Sequence, residues 1–105
     1  MYIEKNDKKI EIFILTNIFK RFKGFMFKKN INYALCFPKC NSIHTFFMKE
    51  NIDVYMTDKN NKVLFIFKDL KKNRIILPKK NIYYTYELPV NYINYNLNDY
   101  IKIKD

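Results

Sequence analysis

The sequence lacks tryptophan and contains one glycine, one alanine, three prolines, two cysteines and one histidine among its 105 residues. With so little glycine, no glycine-rich loop is present to build an oxyanion-binding backbone. A long apolar run is also missing, because Glu11, Thr16 and Asn17 interrupt the first one, residues 10–19. That run is too short to span a bilayer and does not match a signal peptide. We therefore expect a cytoplasmic protein with reduced thiols and no membrane span.

What the chain has in abundance is lysine, with 18 Lys against 2 Arg, together with 14 Asn and 15 Ile. Its net charge of +10 fits a polyanion partner such as nucleic acid. The same bias is typical of an AT-rich genome, which we expect to be bacterial, and the lysines are scattered in pairs without a recognised nucleic-acid-binding motif. A solvated basic surface is therefore the preferred interpretation, and nucleic-acid binding stays open as an alternative.

Length and composition predict a globular protein. With 49% hydrophobic and 18% aromatic residues, the chain has enough apolar area to offset the entropy lost on folding. We expect a single domain over residues 1–105, with residues 1–8 as a flexible or edge N-terminus.

Alternating apolar residues predict a series of short strands. The first covers residues 9–15 and leads into a short helix, 17–23, with Thr16 as its N-cap and Gly24 as its left-handed cap. The predicted fold is mainly β: a single-domain antiparallel sandwich or barrel with one short helix near residues 17–23. The other predicted strands are 32–37, 43–48, 52–57, 62–68, 74–77, 82–88 and 100–103, with turns at 38–42 and 58–61 and an irregular helical turn within 89–96.

Several short motifs follow one another along the chain, and their order is more specific than any one of them. They are Phe13 to Thr16, Arg21 to Met26, Pro38 to Phe46, Met48, Ile52 to Val54, Asp58, Val63, Glu87 to Pro89, and Asn98 with Asp99. This order resembles the uncharacterised family called domain of unknown function 192, over about residues 10–103. The resemblance implies a mainly-β sandwich with a short helix and brings no established activity.

Two departures from the family pattern affect the interpretation. Asn61 and Asn98 stand in turns where the family usually has Gly, and the fold is kept because Asn also tolerates a left-handed conformation. At His44, part of the family carries an aromatic residue instead. That difference weakens the hypothesis that the family shares a reaction catalysed by this imidazole.

Both cysteines and the only histidine lie within nine residues, as Cys36, Cys40 and His44. On one continuous strand, residues four positions apart are separated by about 13 Å, so these three donors could not share an ion. A structural zinc site also needs four ligands, and Cys36 lies in the apolar segment Tyr33–Phe37, which favours a core position. We therefore predict no metal ligand and no cofactor.

Cys40 and His44 also raise the hypothesis of a thiol nucleophile activated by an imidazole. No orienting carboxylate and no oxyanion-binding loop can be assigned to the pair. In the alternative interpretation, Ser42, His44 and Thr45 satisfy backbone groups where the turn enters the next strand.

Arg21 stands out in a chain that otherwise uses lysine, because a guanidinium offers bidentate geometry that an ammonium does not. We expect it to bond a carboxylate, with Asp53 and Glu87 as candidates, or backbone carbonyl groups. A structural role for this arginine is favoured over ligand binding.

Taken together, these patterns predict a small non-enzymatic binding domain for a protein or a small ligand. Two alternatives remain: a thiol- or metal-dependent enzyme centred on Cys40 and His44, and a polyanion-binding domain that uses the basic surface. The sequence leaves the oligomeric state open and assigns no catalytic residue. The candidate binding residues are Arg21, Cys40, Ser42, His44, Thr45, Met48 and Asp53.

Overall fold

The computed structural model describes the whole chain, Met1 to Asp105, as eight β-strands and one α-helix. In chain order these are β1 (Tyr2–Lys5), β2 (Lys8–Ile14), α1 (Ile18–Lys23), β3 (Ala34–Pro38), β4 (Ile43–His44), β5 (Ile52–Thr57), β6 (Val63–Leu70), β7 (Ile75–Ile76) and β8 (Tyr84–Pro89). The mainly-β fold with one short helix is therefore confirmed. With six residues, α1 is far too short to cross a bilayer, and it is the only α-helix.

Six strands form one sheet in the order β1-β2-β3-β8-β5-β6, while β4 and β7 pair separately. Every pairing is antiparallel except that of β2 with β3, which is parallel because α1 and the loop after it return the chain to the starting end of β2. The expectation of a wholly antiparallel sheet is corrected at this one pair. The sheet is not a closed barrel, because its edge strands β1 and β6 do not pair with each other.

The six-stranded sheet buries one hydrophobic cluster on each face. Side chains alternate between the faces along a strand. Cys36 of β3 and Tyr86 of β8 belong to the first cluster, and Leu35 and Phe37 of β3 belong to the second. Strands β3, β5 and β8 are therefore buried on both faces, as is typical of central strands covered on both sides.

The helix α1 is capped at both ends by the chain itself. Asn17 accepts hydrogen bonds from the backbone N–H groups of Phe19 and Lys20, at 2.9 and 3.2 Å. The prediction of Thr16 as N-cap was wrong by one residue, because the amide oxygen of Asn17 fills that role. Gly24 follows the helix with φ +47° and donates its N–H to Lys20 O. No residue of α1 is buried, so the helix lies on the surface.

The predicted strand 52–57 and the turn 58–61 are confirmed, and Asn61 has a φ of +66° as expected of a left-handed turn residue. The strand predicted over 43–48 was wrong beyond His44. There the chain turns, with Phe47 at φ +61° and the N–H of Met48 donated to Thr45 O at 3.3 Å. The other predicted strands up to residue 88 match the observed ones to within two residues at each end.

The end of the chain is more irregular than its alternation predicts. Within residues 89–96 there is a turn, with the N–H of Tyr92 donated to Pro89 O at 3.4 Å, and no helix. Residues 100–103 form no strand. Instead, the C-terminal segment, residues 98–104, makes backbone hydrogen bonds to Val63 at the start of β6 and to Tyr2 in β1. Both edge strands therefore contact this segment.

Candidate functional site

A groove of about 420 Å³ opens between α1, the β3–β4 turn and the β4–β7 pair, over the second face of the large sheet. Eleven of its 18 lining residues are hydrophobic. A concave, mainly apolar surface with a few polar groups is the usual form of a small-molecule site. The polar and charged lining residues are Arg21, Lys23, Cys40, Ser42, His44 and Glu87.

Glu87 forms part of the floor of this groove. It lies in the middle of β8, between Leu35 of β3 and Val54 of β5, which are its partners across the sheet. Only 4% of the residue is exposed, and its Oε1 atom has no hydrogen-bond partner. Burial raises the pKa of the Glu87 carboxyl to about 8. The group is therefore mainly protonated at neutral pH and can donate a hydrogen bond as well as accept one.

Gly24 lies directly against this carboxyl. A Cβ atom placed on Gly24 would stand 3.2 Å from Glu87 Oε1 and 3.6 Å from Cζ of Phe37. The positive φ of Gly24 is also one that residues with a side chain rarely adopt. Because position 24 is glycine, no side chain at that position crowds the Glu87 carboxyl.

His44 forms one wall of the groove, and both of its ring nitrogens are bonded to backbone groups. Nε2 lies 3.1 Å from the carbonyl oxygen of Phe22, and Nδ1 accepts the N–H of Phe46 at 3.2 Å. The neutral tautomer with hydrogen on Nε2 satisfies both bonds. The imidazole also packs against the rings of Phe22 and Phe46, with centroids 4.8 and 5.2 Å away. It ties the end of α1 to the turn after β4 and leaves no free nitrogen for a metal ion or a thiol.

Cys40 is half-buried in the β3–β4 turn, and its backbone and side chain are all bonded. Its Sγ donates to Ser42 O at 3.2 Å, its N–H to Tyr83 O at 3.0 Å, and its carbonyl accepts the hydroxyl of Thr85 at 2.8 Å. Cys36 belongs to the hydrophobic cluster on the opposite face of the sheet, where burial raises the pKa of its thiol to about 12. No three His, Cys, Asp or Glu side chains are grouped closely enough to hold one metal ion.

Arg21 lines the groove from α1. One of its terminal nitrogens, Nη2, donates to the carbonyl oxygen of Lys39 at 3.0 Å. We expected Arg21 to bond either a carboxylate or a backbone carbonyl group, and the structure shows the backbone carbonyl. No hydrogen bond or ion pair joins Arg21 to Asp53 or Glu87. The remaining N–H groups of the guanidinium are therefore available to a ligand.

Two of the candidate residues lie outside the groove. Asp53 is fully buried at a bulge in β5, where it pairs with Lys68 and accepts the backbone N–H groups of Asp69 and Asn91, both at 2.8 Å. Thr45 is also buried and joins the turn after β4 to the segment before β7. Its hydroxyl donates to Lys71 O at 2.7 Å and accepts the N–H of Arg74 at 2.8 Å. The five that line the groove are Arg21, Cys40, Ser42, His44 and Met48.

From the sequence, Glu87 was a candidate partner for Arg21 and part of a family motif, but it was not among the candidate binding residues. Its neighbours in β8, Tyr86 and Leu88, both belong to the first cluster, so the alternation indicated that Glu87 faces away from them. In an edge strand, a side chain on that face would be exposed to solvent. Here β8 lies between β3 and β5, and the second hydrophobic cluster covers that face. A lone acidic residue inside an apolar strand was the signal available.

Comparison with known proteins gives a consistent family match. The sequence profile of the DUF192 family, described as "Uncharacterized ACR, COG1430", matches residues 1–99. A UPF0127 protein of Thermococcus sibiricus is 38% identical over 107 residues, which covers 90% of this chain and 67% of that protein. A UPF0127 protein of Thermococcus kodakarensis is 45% identical over 80 residues, which covers 70% of this chain and 50% of that protein. Both relatives are archaeal, which does not support the expectation of a bacterial source.

The chain thus spans between half and about two thirds of the length of these curated relatives. Among solved structures, a candidate transcription regulator from Sinorhizobium meliloti matches with a TM-score of 0.80 at 10% identity, covering 96% of this chain and 89% of that one. At this level of identity the likeness concerns the fold alone.

Proposed function

This chain belongs to the DUF192 family, and we propose that it is a binding domain whose groove holds a small organic ligand. The observation that carries the proposal is the carboxyl of Glu87, buried at the groove floor with no partner for Oε1. A buried polar group without a hydrogen bond costs about 1–3 kcal/mol of stability. Because Glu87 lines the groove and makes no hydrogen bond within the fold, a ligand that bonds its carboxyl would supply the partner that the fold does not.

The shape and lining of the groove support the same proposal. A volume of about 420 Å³ lies within the usual range for small-molecule sites. Phe22, Phe37 and Ile76 offer apolar contacts, while Arg21 and Glu87 offer polar ones. A few polar groups within an apolar lining would fix the orientation of a ligand.

The bonds made by His44 and Cys40 favour binding over catalysis at this groove. A general base needs a ring nitrogen within reach of the proton that it removes. Both nitrogens of His44 are already bonded to backbone groups, and the thiol of Cys40 donates to Ser42 O. These contacts support a structural role for the two residues whose types suggested an enzyme.

A fragment titration followed by NMR tests this proposal. We expect small organic fragments to shift the backbone amide signals of Gly24, Ser42 and Glu87. Ser42→Phe places a ring in the groove and should abolish those shifts. Asn41→Phe, at an exposed neighbour that does not line the groove, should leave them intact.

Two results would count against a small-ligand groove. One is that no fragment shifts those three amide signals. The other is that fragments shift signals only around the second cavity, which lies between residues 4–6 and 95–104.

A further inference from the structure

We propose that the ligand of the groove is a small amphipathic acid, whose anionic head lies between Arg21 and Glu87 and whose apolar body lies against Phe22, Phe37 and Ile76. This inference rests on the proposed function and names the chemical class of its ligand. It follows from the way in which charge is arranged around the groove.

More positively than negatively charged side chains line the groove. Arg21 and Lys23 contribute two cations from α1, and Glu87 is the only acidic residue among the lining residues. His44, which lines the groove from β4, is held as the neutral tautomer, and Cys40 presents a thiol that is already bonded. The sheet neighbours of Glu87, Leu35 and Val54, are apolar. With Glu87 protonated, the groove therefore has a net positive charge that attracts an anion.

Arg21 and Glu87 both line the groove and make no hydrogen bond with each other. No ion pair joins them, and burial alone accounts for the raised pKa of Glu87, so the guanidinium does not stabilise a charged carboxylate there. An anionic ligand can accept a hydrogen bond from the protonated Glu87 and from the free N–H groups of Arg21 at once. Such charge-assisted hydrogen bonds are roughly twice as strong as those between neutral groups.

An amine is the main competing class, because it could form an ion pair with a deprotonated Glu87. It would have to enter beside Arg21 and Lys23, whose like charges repel it. It would also have to displace the proton of Glu87. The two classes predict opposite pH dependence, since an acid needs Glu87 protonated and an amine needs it ionised.

Three probes of matched shape distinguish these classes: phenylbutyrate, phenylbutylamine and phenylbutanol, each titrated into the full chain from pH 6 to pH 10. We expect phenylbutyrate to bind most tightly at pH 7. Above about pH 8 its affinity should fall about tenfold per pH unit, because the binding-competent form of Glu87 is lost. Phenylbutanol should bind more weakly and show less dependence on pH.

Variants assign the two contacts. Arg21→Met should weaken phenylbutyrate about tenfold and leave phenylbutanol little changed, because only the acid loses a hydrogen bond between charged groups. Lys20→Met, on the same helix but outside the groove, should change neither. Glu87→Gln keeps a donor that does not titrate, so the fall in phenylbutyrate affinity above pH 8 should disappear. The exposed control Glu11→Gln should keep it.

The possible outcomes separate the two proposals. Tighter binding of phenylbutylamine, rising with pH, overturns the ligand class while the groove stands. Equal binding of phenylbutanol and phenylbutyrate also overturns it, since the head group would then not be recognised. If none of the three probes shifts the groove signals while other fragments do, the acid is again excluded. If no fragment at all shifts them, the groove itself is not a binding site.

Discussion

Gly24 and Glu87 are 63 residues apart in the sequence, yet a Cβ atom on Gly24 would stand 3.2 Å from the Oε1 atom of Glu87. Twelve other residues have positive φ, most of them asparagine, and all but Asp69 of β6 lie in turns or loops without a glycine. In most of the positions with positive φ, asparagine therefore serves where a glycine could stand. At position 24 the additional requirement is space, because the carboxyl of Glu87 lies where a side chain would go.

Replacing Gly24 with alanine should therefore be more harmful than a turn substitution. Backbone strain at a positive φ costs of order 1–3 kcal/mol, and the new methyl group would also press on the carboxyl. Urea unfolding should show a larger loss of stability for Gly24→Ala than for Asn98→Ala, which alters an exposed residue with φ +72°. Equal losses would mean that contact with Glu87 plays no part.

Glu87 should make the protein less stable as pH rises. In the unfolded chain its pKa is near 4.5 and in the folded chain about 8, so between these values the folded state holds a proton that the unfolded state has released. The contribution of the protonated carboxyl to the free energy of unfolding is complete below pH 4.5 and is lost progressively up to pH 8. The total loss is on the order of 4 kcal/mol.

Glu87→Gln should remove this dependence. Urea unfolding should show that the free energy of unfolding of the variant, relative to that of the wild type, increases as pH is raised from 4.5 to 9. The reason is that the wild type loses the contribution of Glu87 over this range, whereas the amide does not titrate. The exposed Glu11→Gln serves as control and should follow the wild-type curve. If the Glu87→Gln and wild-type curves run parallel across this range, the carboxyl is not held protonated by the fold.

His44→Phe tests the structural role of the imidazole. A phenyl ring keeps the packing against Phe22 and Phe46 but loses the two hydrogen bonds to their backbone groups. We expect a loss of about 1 kcal/mol in the free energy of unfolding, because these bonds lie near solvent. Hydrogen exchange at the Phe46 amide should become faster. Unchanged exchange at that amide would show that the bond from Phe46 to Nδ1 does not form in solution.

The two cysteines should differ in reactivity because Cys36 is fully buried and Cys40 is only half-buried. Iodoacetamide at pH 8 should modify the half-buried Cys40 in the folded protein, while Cys36, with a pKa of about 12, should react only in denaturant. Mass spectrometry of digested peptides identifies the labelled residue. Folded Cys40→Ser should take up no label. Labelling of Cys36 in that folded variant would contradict its burial.

Asp53→Ala should destabilise the fold without altering the groove. The substitution removes the ion-pair partner of Lys68, which keeps its hydrogen bond to Asn94, and it leaves the N–H groups of Asp69 and Asn91 without their acceptor. We expect this to cost about 3 kcal/mol. Under conditions in which the variant is folded, its affinity for phenylbutyrate should equal that of the wild type. A weaker affinity would indicate that Asp53 acts on the groove.

The parts of the fold that the sequence predicted are those governed by local physics. Alternation defined the strand Ile52–Thr57, and the tolerance of Asn61 for a left-handed conformation defined the turn after it. The apolar neighbours of Cys36 likewise indicated its burial, which is complete. Each of these conclusions depends only on residues within a few positions.

The parts that the sequence did not predict depend on distant partners. The burial of Glu87 is decided by β3 and β5, which flank β8 and come from other parts of the chain. His44 could be assigned to a structural role only once its two backbone partners were known, and Phe22 lies 22 residues away. The partner of Arg21, the carbonyl of Lys39, carries no side-chain signal at all.

The C-terminal segment protects the protein against self-association through its strand edges. Residues 98–104 make backbone hydrogen bonds to Val63 in β6 and to Tyr2 in β1, so one short stretch shields part of both edges of the sheet. Unpaired strand edges recruit further strands. A single cut before residue 98 would expose two such edges on one molecule, and a unit that can add a neighbour on each side grows into open-ended fibres rather than closed dimers.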